Sequence, residues 1–212
     1  MLGMWRYRLQ QSFFIALVMG AIVFALWWDA RQGTLPVVRE HPTHKRGVAG
    51  YEVIEGAVLH PDANNDGDSF KMAHDGQIHE FRIYFVDCPE KRLHQFNGSR
   101  IDQQGRYFGG LSRQDTIELG LEGKAFTEEL LTTHRFTIQT RWQKVFDSGR
   151  YYAFVFFDDG EELSEKLVRE GLCRIYTEGA ALPDGRKERD FANHLRKLER
   201  EAKTAQRGGW RG

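Results

Sequence analysis

Apolar and polar positions along this 212-residue chain fall into three regimes. Residues 12–28 run without a single charged side chain, and residues 29–50 are rich in Pro, Gly, His and charge with no apolar period. From residue 51 the spacing alternates as in strands, with helical periods between them. Strands are predicted over residues 51–60, 69–74 and 77–86, the last two joined by Asp75-Gly76, which accepts the positive φ angles of a two-residue hairpin. Leu121, Ala125, Phe126 and Leu130 share one face of a helix predicted over residues 121–133. Two more strands, over residues 134–142 and 150–157, flank a turn at Asp147-Ser148-Gly149. Asp158-Asp159-Gly160 then leads into a helix over 162–170 stopped by Gly171, and a last helix spans 188–206 before Gly208-Gly209.

Five strands with helices inserted and appended predict a mainly β fold with α: a five-stranded OB-fold barrel carrying inserted and C-terminal helices. The expected organisation is an N-terminal membrane anchor or signal peptide over residues 1–28, a polar linker over 29–50 and the folded domain over 51–212. As a helix, the uncharged run spans about 26 Å, slightly short of a ~30 Å hydrocarbon core. Trp5 and Tyr7 on one side and Trp27 and Trp28 on the other stand where interfacial aromatics belong. Arg6 and Arg8 on the short side place the N-terminus in the cytoplasm. A transmembrane helix is therefore expected to hold the domain at the membrane. Val23-Phe24-Ala25 offers small residues for signal cleavage as the alternative. Both readings put the domain outside the cytoplasm, periplasmic or extracellular, and cleavage makes it secreted.

Charge is balanced over the whole chain at 30 basic and 30 acidic residues, but unevenly. Residues 1–50 take six of the basic and two of the acidic ones, leaving 24 against 28 and a net charge of −4 on residues 51–212. Such a domain does not gather nucleic acid by its global field, so phosphate binding requires a local cationic cluster or a bound metal. Cys88 and Cys173 are the only cysteines. In an exported chain they form one disulfide or stay as two buried thiols, and no Cys or His spacing suggests zinc.

The chemistry-bearing residues lie in order between positions 66 and 150: Asp66-Gly67-Asp68, Phe81-Arg82, Asp87-Cys88-Pro89-Glu90 and Gly149-Arg150. Carboxylate and carbonyl oxygens suit a hard divalent cation such as Ca²⁺. Arginines clamp a phosphate as charge develops on it, and a further carboxylate positions or deprotonates water. Together they make a metal-assisted phosphodiesterase kit.

This ordered set, continued by Asp159-Gly160, Leu167-Val168-Arg169-Glu170-Gly171-Leu172, His194-Leu195-Arg196-Lys197 and Trp210, resembles the staphylococcal-nuclease-like (thermonuclease) family over residues 52–210. The resemblance implies Ca²⁺-dependent hydrolysis of DNA, RNA or both, by an enzyme that cuts within the strand, with no protein partner. It assigns Asp68, Asp87 and the Cys88 carbonyl to the metal, Glu90 to the water as general base, and Arg82 and Arg150 to the scissile phosphate, with Asp66 behind them. It also implies that the segment after the 162–170 helix returns beside Cys88, which would bring Cys173 within disulfide reach.

The chain departs from the family pattern in three ways. Cys88 stands where the family commonly has Thr. Ser148 replaces a tyrosine before Gly-Arg, and Tyr176 alone, out of register, represents a tyrosine pair. Residues 91–119 form a loop much longer than usual, whose Arg92, Arg100, Arg106 and Arg113 with Phe96, Tyr107 and Phe108 make either a strand-binding surface or an ordinary surface insertion. The competing functions are a tethered, non-catalytic nucleic-acid-binding OB-fold module, and a cell-envelope interaction domain without metal dependence.

Overall fold

In the computed structural model, the chain divides into a unit of residues 1–40 and a unit of residues 41–212. The structure describes residues 45–46 and 50–211, all in the second unit. The expected membrane segment at 1–28 lies outside the described residues. Among the described residues, no helix is long and apolar enough to cross a membrane.

Among the described residues, nine strands and four α-helices follow in the order β1 (Lys45–Arg46), β2 (Glu52–Glu55), β3 (Val58–Leu59), β4 (Ser69–His74), β5 (Gln77–Ile83), β6 (Val86–Asp87), α1 (Gly98–Tyr107), α2 (Arg113–Thr133), β7 (Phe136–Lys144), β8 (Arg150–Phe157), α3 (Leu163–Arg169), β9 (Arg174–Ile175) and α4 (Glu188–Thr204). A short 3-10 turn, Gly208–Trp210, ends the described chain. Seven strands form one sheet in the order β1-β2-β7-β8-β5-β4-β3, and β6 pairs with β9 in a separate ribbon.

This corrects the expected architecture. The sheet is open, with β1 and β3 at its edges, rather than a closed five-stranded barrel. The free side of β2 is taken by Lys45–Arg46, inside the stretch expected to be a tether, so it does not serve to close the sheet. Helices hold more of the described residues than strands do, making the fold mixed α/β rather than mainly β. The predicted strand over 51–60 breaks at Gly56, which adopts φ +71°, and continues as β3.

Local chemistry sets the registers that matter. Asp75 and Gly76 both have positive φ, 48° and 73°, as a tight hairpin of matching twist requires. His74 therefore faces Gln77, and counting back along the ladder sets Ser69 opposite Arg82. β8 runs parallel to β5 with Glu80 beside Arg150 and Arg82 beside Tyr152. The two-residue β6–β9 ribbon sets Asp87 opposite Arg174. Between β5 and β6, Phe85 takes φ 68°, an uncommon angle for a bulky residue. Its backbone bonds to Glu178 and Tyr176 and its ring packs edge-on to Phe191 of α4 at 5.1 Å, which holds the bend.

The core lies between the sheet and the helices, where Phe70, Phe81, Ile83, Phe154 and Ile138 meet Leu163 and Leu167 of α3 and Phe191 and Leu195 of α4. Each such side chain contributes about 1.5–3 kcal/mol by leaving water. α2 crosses the turn after β6 at close range. A Cβ on Gly120 would fall 2.5 Å from the Pro89 carbonyl oxygen, so any larger side chain would push the turn away from the helix. In the same turn Cys88 is bonded to Cys173, with their Cα atoms 4.1 Å apart.

The disulfide closes a loop with a sequence separation of 85. In the chain-entropy model that is worth about 4.6 kcal/mol. Protein purified without reductant is expected to yield one cross-linked peptide in mass mapping and to lose several degrees of Tm on reduction. Two freely alkylated thiols, or an unchanged Tm, would contradict the bond.

Candidate active site

The Asp66-Gly67-Asp68 turn enters β4 with its backbone fixed by its own side chain: Asp66 Oδ1 accepts the N–H groups of Asp68 and Ser69 at 3.3 and 2.8 Å. Thr127 of α2 donates its hydroxyl to the Gly67 carbonyl at 2.7 Å. Asp68 itself is buried. Its Oδ1 accepts from Arg82 at 2.9 Å and from the Ser69 hydroxyl at 3.2 Å, and its Oδ2 accepts the Cys88 N–H at 2.6 Å.

Arg82, placed by the hairpin register, bridges the two buried aspartates: Nη1 reaches Asp68 and Nη2 donates to Asp87 Oδ1 at 2.8 Å. Asp87 collects more partners than any other carboxylate described. Arg100 of α1 donates to its Oδ1 at 2.6 Å, while Arg174 of β9 and Gln104 of α1 donate to its Oδ2 at 2.7 and 3.1 Å. Arg174 is only 2 % exposed, so this is a buried ion pair held by strand pairing.

Electrostatics follow the geometry. Burial alone would raise the Asp87 carboxyl, but Arg100, Arg82 and Arg174 outweigh it and hold the group below the ordinary carboxylate range. For Asp68 burial wins: its pKa is pushed up, Arg82 offsets this only in part, and the neighbouring Asp66 and Asp87 add to it. Arg82 is desolvated, yet its aspartate partners more than compensate and hold it charged.

Glu90 follows three residues after Asp87 and lines the same cleft of about 910 Å³. Its Oε1 lies 2.7 Å from Arg100 Nε, and its backbone N–H donates to Gln104 Oε1 at 3.1 Å. Arg150 opens β8 and borders the cleft as well, with Nη1 3.4 Å from the Ser69 hydroxyl oxygen. Arg82 Nη1 is 3.3 Å from that same oxygen, so the two guanidiniums stand side by side. Asp68, Arg82, Asp87, Cys88, Glu90 and Arg150 thus assemble at one place.

The donor chemistry at this place suits a hard divalent cation: the Asp68 and Asp87 carboxylates and the Cys88 carbonyl are all oxygen donors. They are held near one another by the 2.6 Å bond from the Cys88 N–H to Asp68 and by the Gln104 amide shared between Asp87 and the Cys88 carbonyl. Among the described residues, no group of three or more His, Cys, Asp or Glu side chains forms a ready-made cage. A cation here would complete its shell with water and would exchange for a guanidinium on Asp87.

The 91–119 stretch is where sequence reasoning fell short. It folds into α1 and the start of α2, and only part of its expected surface exists. Arg92 bonds Asn64 and Arg113 pairs with Asp102, while Tyr107 and Phe108 pack against Trp210 at 5.8 and 4.8 Å. Arg100 is the arginine of this stretch that lines the cleft. Asn97, Gln104 and Arg174 went unnoticed in the sequence. Asn97, Arg100 and Gln104 are spaced at 3 and 4, one helix face, which was the available signal. Nothing in the sequence pairs Arg174 with Asp87, because β6 and β9 are two residues each.

A family model described as staphylococcal nuclease homologue matches residues 80–212. The uncharacterized protein MJ1439 of Methanocaldococcus jannaschii is 29% identical over 159 residues, covering 68% of this chain and 67% of that protein.

Proposed function

Because the chain belongs to the staphylococcal nuclease homologue family, which is generally one of nucleases, we propose that it hydrolyses phosphodiester bonds within DNA or RNA strands, and does so outside the cytoplasm. The observation that carries this reading is the pair of adjacent guanidiniums, Arg82 and Arg150, facing Glu90 across one cleft. Two arginines in that relation grip the non-bridging oxygens of a phosphate and take up charge as the phosphorus becomes five-coordinate. Glu90 accepts a proton from water as its oxygen attacks phosphorus, and the P–O bond opposite breaks in line. Phe146 and Tyr176, exposed at 85% and 57%, border the same cleft and offer ring faces to nucleobases next to the bound phosphate. They favour nucleic acid over other phosphodiesters.

The family's usual cofactor, Ca²⁺, is part of the proposal, with Asp68, Asp87 and the Cys88 carbonyl as its holders. When bound it would supply Lewis-acid polarisation of a phosphate oxygen. The Cys88–Cys173 bond supports the extracytoplasmic assignment, since such bonds persist in oxidising compartments. Attachment through residues 1–28 belongs to the same proposal.

Glu90→Gln, Arg82→Lys and Arg150→Lys are each expected to lower the rate of cutting circular single-stranded DNA or RNA by roughly 10²–10³ while the fold persists. A circle has no ends, so only internal cleavage registers. Near-wild-type turnover in all three would sink the assignment. In calorimetric titrations, Asp68→Ala and Asp87→Ala should both weaken Ca²⁺ binding; unchanged affinity in both would remove these residues from the metal. Protease added to intact spheroplasts should degrade the domain, and full protection would argue against export.

A further inference from the structure

The proposed reaction leaves one element unused. α1 belongs to the long stretch between Glu90 and α2, yet with Asn97, the residue that caps its start, it presents three polar side chains to the Asp87–Glu90 turn: Asn97, Arg100 and Gln104. We propose that α1 is a wall of the active site and that Arg100 is the positioning residue for Glu90. The inference rests on the nuclease reading above and goes beyond it by giving the inserted helix a role in the reaction.

Glu90 sits on a turn, where a flexible carboxylate would sample many rotamers. Here both its side chain and its backbone are held from α1. Arg100 Nε is 2.7 Å from Oε1, Asn97 Nδ2 donates to Oε2 at 3.4 Å, and Gln104 Oε1 takes the backbone N–H at 3.1 Å. The partners address different oxygens, so the carboxylate plane is set as well as its position. Gln104, 0% exposed, completes the brace by donating its amide to both Asp87 Oδ2 and the Cys88 carbonyl, each at 3.1 Å. One buried amide thereby ties together Asp87, Cys88 and Glu90.

A wall must itself be rigid, and α1 is. Ile101 is buried in the middle of the helix. At its C-terminal end the Phe108 ring packs tilted against Trp210 at 4.8 Å, and the Tyr107 hydroxyl bonds both the Ile175 N–H and Glu199 of α4. Arg100 differs from its neighbours in being 42% exposed, so its guanidinium reaches the cleft across a surface that water also reaches. Truncating it opens no cavity. Its second partner, Asp87 Oδ1, is already shared with Arg82, so the bond to Glu90 is the one that Arg100 alone provides.

The test is steady-state kinetics on circular single-stranded DNA and RNA with Ca²⁺ present, with Tm recorded for each variant. Arg100→Gln should lower kcat by about 30- to 100-fold, the scale associated with misplacing a reacting group by about 1 Å. KM should stay within about threefold and Tm within about 2 °C. Arg100→Lys should recover part of kcat, because an ammonium still attracts the Glu90 carboxylate without matching the guanidinium geometry. Arg113→Gln, which removes a surface pair with Asp102, serves as the control and should match wild type. A kcat for Arg100→Gln within twofold of wild type overturns the inference while leaving the nuclease reading standing. A raised KM at unchanged kcat also overturns it, since Arg100 would then grip substrate rather than position the base. Wild type without turnover on either circle defeats the nuclease reading and this inference with it.

Discussion

A buried carboxylate cannot stand alone, and Asp87 is the point around which this domain is organised. Removing such a group from water costs several kcal/mol unless partners replace the lost hydration, and breaking a buried pair by deleting one side costs about 3–5 kcal/mol. Its partners come from three separate parts of the fold. Arg82 arrives through the β4–β5 hairpin register, Arg174 through the β6–β9 ribbon, and Arg100 and Gln104 through α1. Arg82 and Arg174 are buried with Asp87, so each of these charges needs its partner in place, whereas the partly exposed Arg100 does not. Around it the charges balance, with Asp66, Asp68, Asp87 and Glu90 against Arg82, Arg100, Arg150 and Arg174. In a domain of net −4 a phosphate is therefore met here by individual, positioned guanidiniums and not by a cationic field.

The turn from Asp87 to Glu90 is clamped on several sides. Cys173 holds Cys88 covalently, and α2 approaches so closely at Gly120 that no side chain fits there. Gly67 repeats the constraint from the Asp66–Asp68 turn, where a Cβ would fall 2.7 Å from Cys88 Sγ. These contacts bring the Asp68 carboxylate to the Cys88 N–H. A group meant to hold a phosphate or a cation gains from such stiffness, because ordering it at the moment of binding would cost side-chain and backbone entropy.

What was legible in the sequence follows from range. Asp75-Gly76 acts over four residues, so β4 was placed correctly and Arg82 could be put near Asp68. The spacing of Leu121, Ala125, Phe126 and Leu130 found the second half of α2 but not its inward face, since Leu121 and Ala125 are exposed and the helix buries Gly123, Thr127, Leu130 and Leu131. Its first half carries Gln114, Asp115 and Glu118 and gave no period. α1 was invisible for a sharper reason. Its buried face includes Gln104 and Gly105 as well as Ile101, so the side facing inward is partly polar and hydrophobic spacing does not find it. The open sheet could not be foreseen either, since strand patterns say which residues alternate and not which edges meet.

The three guanidiniums on Asp87 are not equivalent, and this asymmetry bears on how the site can respond to a ligand. The Arg174 side chain is 2% exposed and pinned by strand pairing, and the ring of Tyr176 lies 3.9 Å from its guanidinium. Arg82 is buried between two aspartates. Arg100 alone is partly exposed, at 42%, and it alone of the three also reaches Glu90. A ligand arriving in the cleft therefore meets Arg82, which is fixed, and Arg100, which is more accessible, while Arg174 is no part of the cleft lining. The buried pair fixes where Asp87 sits, while Arg100 joins the others in keeping it ionised and links it to Glu90. Rigidity and adjustability are divided between residues according to burial.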